Sequence, residues 1–357
     1  MIDFIMRVVI TVLSLGAVVI FHEWGHFLVA RRLGVRVERF TVGFGPELFG
    51  WTRGETRYAV CAFPLGGMVR MAGESPEEHT QKPDEFFSQP WYGRATIALA
   101  GPVMNYLLAF LLFAFVAFRW GTLQPSDQPV IGDMVAGLPA AEAKLEIGDR
   151  IRSINGVAIT SWEQMAQLIH QKPDQWLHLR LERAGTDGRK TRVFTVALKP
   201  QKDPQRGMGL IGIMPHVDRV QVGFWGSFQT SWKDLKLWTM QPLHYISQKV
   251  RHWEGPRELS GPIGIAQMVT RATREGAAYV IYLMAIISTG LGLFNIFPIP
   301  VLDGGHVLLY TVEGLLRRPL TRRTMQIANA VGLSLILTIF LYASYQDLLR
   351  WRLGLWK

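Results

Sequence analysis

Cysteine is almost absent: Cys61 stands alone in 357 residues. One thiol excludes an intramolecular disulfide framework and any metal site built from several cysteines. Charge is scarce too, at 18% against roughly 25% in ordinary soluble domains. The scarcity is local. Ala95–Phe118, Ala277–Phe297 and Ile327–Tyr345 contain no Asp, Glu, Lys or Arg. A bilayer-crossing helix needs about 20 such residues, a length buried soluble helices seldom reach, so a wholly soluble chain is excluded. Acidic residues are the rarer sign, 28 against 38 basic, for a net charge of +10. In a soluble chain that surplus would suggest nucleic acid. Cytoplasmic loops of membrane proteins are basic as well, and no nucleic-acid partner is expected. Internal repeats and low-complexity stretches are also missing.

A fourth apolar segment opens the chain. Val8–Phe21 is uncharged, His22-Glu23-Trp24-Gly25-His26 follows, and apolar character resumes at Phe27–Ala30 before Arg31-Arg32. The first run, with Arg7 ahead of it, has the length of a signal peptide, but no small-residue cleavage site follows. Val8–Ala30 therefore reads as one spanning helix with a polar interruption near its C-terminal end. Four spans put both termini on one side. Arg31, Arg32, Arg36 and Arg39 follow the first span, and Arg317, Arg318, Arg322 and Arg323 precede the fourth. Those two loops are read as cytoplasmic, and both termini with segment 119–276 as extracytoplasmic.

The expected fold class is an α-helical polytopic membrane protein with four transmembrane helices, a membrane-associated β-hairpin or sheet, and one extracytoplasmic α+β module. Its expected segments are a first transmembrane helix (1–32), a cytoplasmic-side or membrane re-entrant β region (33–94), a second helix (95–119) and the module (120–205). A connector with an amphipathic helix (206–276), a third helix (277–305), a cytoplasmic loop (306–326) and a fourth helix with a tail (327–357) complete the chain.

In the β region, Tyr58–Phe63 and Met68–Met71 flank Pro64-Leu65-Gly66-Gly67, which reads as a hairpin, either at the membrane edge or plainly cytoplasmic. Cys61 reads as a small buried hydrophobe. In the module, Val130–Ala136 is expected as a strand and Pro139–Leu145 as a short helix. Arg150–Ile154 and Val157–Ile159 are strands joined by Asn155-Gly156, a favoured two-residue turn. Ser161-Trp162-Glu163-Gln164 has capping-box spacing and predicts a helix to about His170. Trp176–Arg183 and Thr191–Leu198 are expected to pair around Gly185-Thr186-Asp187-Gly188. Phe228, Trp232, Leu235 and Trp238 recur at helical spacing with Lys233 and Lys236 between them. That stripe suits a helix on the membrane surface, or packing against the module.

The chemistry lies in the polar interruption. His22 and His26, four residues apart, share one helix face and can ligate one zinc ion, and Glu23 is placed to take a proton from a water the metal activates. A carboxylate in a span costs about 2.5–3.5 kcal/mol on insertion scales, so an idle Glu23 would be a poor choice there. Catalytic zinc usually has three protein ligands. The third span runs in the same direction as the first, and its end reads Asn295-Ile296-Phe297-Pro298-Ile299-Pro300-Val301-Leu302-Asp303-Gly304-Gly305-His306. Two prolines stop the helix early, so Asp303 can turn back to the depth of His22. Asp303 is the expected third ligand and His306 its rival.

These strings together resemble the site-2 protease family of intramembrane zinc metalloproteases, and within it the bacterial RseP-like branch with a single PDZ domain. The matches are His22–His26, Asn295-x-x-Pro298-x-Pro300-x-Leu302-Asp303-Gly304, Gly43-Phe44-Gly45, Phe63-Pro64-Leu65-Gly66-Gly67, Gly101-Pro102-x-x-Asn105 and Ser260-Gly261-Pro262-Ile263. In the module, Gly148-Asp149-x-Ile151-x-x-Ile154-Asn155-Gly156 resembles bacterial PDZ domains. The departure is size, since some relatives carry two such modules. The resemblance implies peptide-bond hydrolysis in transmembrane proteins or peptides within a bilayer, with substrates such as anti-sigma factors or remnant signal peptides pre-trimmed by another protease, in a bacterial inner membrane. It also implies that the β-element around Gly66 and Gly67 binds substrate by strand addition, that Asn295 holds the unwound substrate backbone, and that Pro298 and Pro300 shape the groove. On residue chemistry alone Asn295 reads as a packing or helix-ending residue, and Gly101, Pro102 and Asn105 as helix-packing residues. The competing readings are a membrane zincin acting on cytosol-accessible substrates and a catalytically silent PDZ adaptor.

Overall fold

A computed structural model describes residues 2–75, 78–135, 137–184, 191–203, 207–252 and 261–352. The expected turn Gly185–Gly188, Ala136 and Ser260 lie outside the described residues. The chain folds into two units, one formed by Met1–Trp120 with Val222–Lys357, the other by Gly121–Gln221.

The first unit begins with α1 (Ile2–Arg32), which ends where Gly34 takes a left-handed φ of 80°. Val35 N–H there donates to the Ala30 carbonyl and Gly34 N–H to that of Arg31, the pairing that closes a helix C-terminus on a glycine. Next come β1 (Val37–Arg53) and β2 (Thr56–Met71). Their turn lies at Gly54-Glu55, because Arg53 pairs with Thr56. This corrects the expected hairpin: Tyr58–Phe63 and Met68–Met71 belong to one bent strand and do not pair with each other. Phe40 pairs with both Tyr58 and Val69, and Thr41 with both Ala59 and Met68, so the first arm of β1 lies between the two arms of β2. The Tyr58 arm runs parallel to the first arm of β1 and the Met68 arm antiparallel to it, so the chain reverses direction between Val60 and Gly67 with a strand of β1 between its two arms. Phe44, Leu48, Phe49, Trp51 and Phe63 are exposed on this sheet. Cys61 is buried. A 3₁₀ turn at Phe86–Ser88 leads into α2 (Trp91–Trp120), whose Ala95, Ala98, Ala100 and Gly101 let α1 approach closely.

The second unit runs through β3 (Thr122–Pro125), β4 (Ile131–Met134), α3 (Pro139–Glu142), β5 (Arg150–Ile154), β6 (Val157–Ala158), α4 (Trp162–His170), β7 (Leu177–Ala184), β8 (Thr191–Leu198), β9 (Gln201–Lys202), β10 (Gly209–Leu210), β11 (Ile213–Pro215) and β12 (Val217–Val220). Its main sheet has the order β6-β5-β7-β8. Asn155 and Gly156 both take positive φ, 49° and 83°, as a tight hairpin turn requires. Ser161 caps α4 by accepting from Gln164 N–H at 3.1 Å. Ile131, Ile151, Met165, Leu177, Leu179 and Leu181 form the core. Asp149, wholly buried, accepts two bonds from Arg183, at 2.6 and 2.8 Å. The unit extends beyond the expected 205 because β11 and β12 return to pair with β4 and β3.

The first unit resumes with α5 (Phe224–His252), α6 (Pro262–Glu275), α7 (Ala277–Ile296), α8 (Asp303–Leu316) and α9 (Arg322–Arg352). The apolar face of α5 packs on α2 and α7: Leu235 sits in a cluster with Ala109, Phe113 and Ala285, and Trp238 donates to the Tyr282 hydroxyl at 3.1 Å. Of the stripe read from the sequence, Phe228, Leu235 and Trp238 thus pack against spanning helices while Trp232 is exposed. Segment 306–326, expected as a loop, is mostly helical, since α8 occupies it to Leu316. At the foot of α8, Glu313 accepts from Arg94 of α2 at 2.6 Å and from Leu320 N–H at 2.9 Å, all within the interior. Among the described residues, four helices are long and apolar enough to cross a membrane: Val9–Arg32, Trp91–Trp120, Ala277–Ile296 and Arg322–Arg350.

Candidate metal centre

The two histidines project from the α1 face that meets α2. His26 Nδ1 donates to the Ile97 carbonyl at 2.8 Å, which leaves the lone pair of its Nε2 free. His22 and His26 bring their Nε2 atoms within 3.2 Å of each other. Both rings rest on Gly101. A Cβ at that position would lie 2.4 Å from His26 Nε2 and 2.7 Å from His22 Cε1, so only glycine leaves them room.

Asp303 comes to the same place from the far end of the sequence. The helix α7 stops at Ile296, and Pro298 and Pro300 prevent it from continuing. The chain turns through bonds from Ile299 N–H to the Phe297 carbonyl at 2.7 Å and from Leu302 N–H to the Ile299 carbonyl at 3.0 Å. Val301 adopts φ of 82°, a strained value for a β-branched residue, of the kind that persists only where its surroundings enforce it. Asp303 then opens α8. Its Oδ2 lies 3.1 Å from His22 Nε2 and its Oδ1 3.6 Å from His26 Nε2. All the candidate ligand atoms fall within 4.8 Å of one another. Asp303 Oδ2 is buried with no hydrogen-bond donor, and two imidazole nitrogens crowd beside it. A buried acceptor without a donor among converging lone pairs fits a cation, and two nitrogens with one carboxylate suit zinc.

Glu23 follows His22 by one residue and lies in the wall of a cavity of about 440 Å³, shared with His22, His26, Asp303, Asn295, Glu74, His306 and Tyr310. The Val69 backbone amide of β2 faces the Glu23 carboxylate. A Cβ on Gly67 would come within 3.5 Å of Glu23 Cγ and 2.7 Å of the Thr41 carbonyl oxygen, so β2 passes close beside the carboxylate because that residue has no side chain. Gly66, Pro298 and Pro300 stay out of the cavity wall. Pro300 instead packs its carbonyl on Gly332 of α9. His306 is outside the ligand cluster; its ring stacks on Tyr310 at 6.0 Å and lines the cavity. Asn105, read from the sequence as a packing residue, proves to touch His22 Nδ1 at 3.0 Å. The signal was there: it is the one amide in the uncharged run Ala95–Phe118.

Two histidines on a membrane-length helix and an aspartate just beyond the end of another, with a glutamate one residue from the first histidine, define a membrane-embedded zinc metalloprotease. Comparison with known proteins gives the family. Residues 10–339 match peptidase family M50, and the chain belongs to that family, the site-2 proteases. A Rhizobium meliloti protein named as a candidate zinc metalloprotease is 32% identical over 365 residues, 95% of each chain. Zinc metalloprotease RasP of Geobacillus kaustophilus is 27% identical, over 98% of this chain and 99% of its own. The regulator of sigma-W protease RasP of Bacillus subtilis is 26% identical, over 97% and 99%. A crystal structure of the PDZ domain of an SdrC-like protein from Listeria monocytogenes matches 24% of this chain and 85% of its own at 25% identity, with a TM-score of 0.20. With its four apolar helices the protein is a multi-pass membrane protein and an intramembrane zinc metalloprotease.

Proposed function

We propose that His22, His26 and Asp303 hold the zinc ion, that Glu23 is the general base, and that β2 presents a transmembrane substrate to them. The observation that carries this reading is the convergence of His22 and His26 with Asp303, from helices about 280 residues apart in sequence, around a cavity that also receives Glu23. When bound, zinc supplies Lewis-acid polarisation of the scissile carbonyl and acidifies water. Glu23 takes the proton of the attacking water and returns it to the leaving amine as the peptide C–N bond breaks. The Val69 amide orients its carboxylate.

A membrane helix seals its own amides, so it must unwind before it is cut, and an extended segment needs new partners for them. The Phe63–Met71 arm of β2 pairs with β1 on one side only and runs beside Glu23, which supports strand addition there. Asn295 in the cavity wall offers both a donor and an acceptor to an unwound backbone. The prolines act through the Asp303 turn. The exposed aromatic side chains of the sheet would be a liability in water and favour its contact with lipid.

The substrates in this reading are single-span proteins or peptides, such as anti-sigma factors or remnant signal peptides, already trimmed by another protease. The second unit, PDZ-like in its motifs, excludes those with bulky outer domains. The protein sits in a bacterial inner membrane with its termini and the second unit extracytoplasmic; impermeant-maleimide labelling of single cysteines placed at Glu55 and Gln164 reads this orientation.

The test is cleavage of a detergent-solubilised single-span substrate. We expect chelator-sensitive cutting within its apolar segment. Glu23→Gln should keep stoichiometric zinc and lose roughly 10³-fold in turnover, within the range of general-base removal. Equal activity of the two proteins, or a protein that binds no zinc, would refute the assignment.

A further inference from the structure

Asn105 lies in the middle of α2 and is wholly buried. Among the described residues its side chain has one polar partner, His22 Nδ1, while its Oδ1 has no donor. An amide sealed among apolar groups is costly unless it is bonded. Its backbone is clamped as well: the wholly buried Ser288 of α7 donates its hydroxyl to the Asn105 carbonyl at 2.9 Å. That clamp accounts for close packing of α2 on α7. It gives no reason for an amide side chain.

The imidazole supplies the reason. His22 Nε2 faces His26 Nε2 and Asp303 Oδ2, so its lone pair must be free there if a cation is to bind. The single proton of the ring then belongs on Nδ1, where it needs an acceptor. The orientation seen here presents the amide nitrogen to Nδ1, which would put the proton on Nε2, where the cation must go. Amide oxygen and nitrogen share one outline, and a half-turn about the Cβ–Cγ bond exchanges them. His26 meets the same requirement with the Ile97 carbonyl.

We propose that Asn105 is a positioning residue for the zinc site, its Oδ1 accepting from His22 Nδ1–H so that the Nε2 lone pair faces the metal. This rests on the reading that His22, His26 and Asp303 hold zinc. An amide can also turn over and donate, so the same side chain serves the metal-free ring, which a carbonyl cannot do.

The test uses the full-length protein in detergent, with zinc affinity read by competition against a chromophoric chelator and ligand geometry by the d–d spectrum of the cobalt-substituted form. Asn105→Leu should weaken zinc binding about 10–100-fold, the usual cost of losing a partner behind a ligand, and alter the cobalt spectrum. Asn105→Asp, whose carboxylate accepts from His22 Nδ1–H when ionised, should stay within about threefold of wild type with an unchanged cobalt spectrum. Wild-type affinity in the Leu variant would overturn the proposal. So would a tenfold or greater loss in the Asp variant, which decides the matter even if the Leu variant does not fold. Asp303→Ala separates the two layers: zinc lost there but retained in Asn105→Leu refutes the role of Asn105 alone, whereas zinc retained in both refutes the ligand assignment and the proposal with it.

Discussion

Replacing Gly101 by alanine perturbs the site by a single methyl group. The added carbon would start 2.4 Å from His26 Nε2 and 2.7 Å from His22 Cε1. A relaxed contact of about 3.5 Å requires one or both to retreat by roughly 1 Å. His26 cannot simply slide, because Nδ1 is held by the Ile97 carbonyl at 2.8 Å. Zinc ligands tolerate errors of only about 0.2 Å, so the shift is some five times what the metal accepts. The helix is affected far less. Alanine favours a helix over glycine by about 1 kcal/mol, which offsets part of the roughly 1–3 kcal/mol that overpacking costs. Gly101→Ala should therefore weaken zinc binding by about 100-fold and proteolysis with it. The metal-free Tm should move by only a few degrees. Chelator competition on detergent-solubilised protein measures the first, and thermal scans of the metal-free protein the second. Zinc affinity within about threefold of wild type would refute the placement of the two imidazoles against α2.

Two further outcomes are expected. Deleting Leu123–Arg219 joins Thr122 to Val220, which pair in register, so a short linker closes the gap; the remaining core should still cut a single-span substrate and should newly accept one with a bulky outer domain. Complete loss of hydrolysis in a folded core would place the second unit in the active site. Glu85 accepts from the Thr80 hydroxyl and from the Thr80 and Lys82 amides, and the hydroxyl bond, with help from the others, holds its pKa below the ordinary value of 4.5. A depressed carboxylate stabilises most at neutral pH and loses that contribution as pH falls through its folded-state value. Hydrogen-exchange protection of residues 78–88 should thus fade below about pH 4.5, and Glu85→Gln should remove that pH dependence; protection constant down to pH 3 would refute the account.

Much of the site could be read from the chain. His22, Glu23 and His26 are local chemistry: helical spacing alone puts the two imidazoles on one face, and any span that buries them must use or neutralise them. Asp303 was within reach because two prolines announce the end of α7, and a single cysteine sends the search for a third ligand to carboxylates. Asn105 was legible only as an oddity, a lone amide in an apolar run, since its partner lies 83 residues away. The hairpin around Gly66-Gly67 was misread for a similar reason. Strand pattern and turn residues locate segments, but which arms pair depends on the bend at Pro64 and on the first arm of β1 inserting between the two arms of β2.

By itself the sequence determined a membrane protein of four apolar spans, two histidines on one helix face with a glutamate beside them, and a separate module, because each rests on composition or on spacing within one helix or one turn. The tertiary structure alone decided that α5 packs on α2 and α7, that Asp303 and not His306 lies within reach of both histidines, that Gly101 makes space for both rings, and that Asn105 stands behind His22. Each of those is a contact between elements far apart in the chain, governed by how helices with similar apolar faces choose their neighbours, and no local pattern of residues encodes that choice.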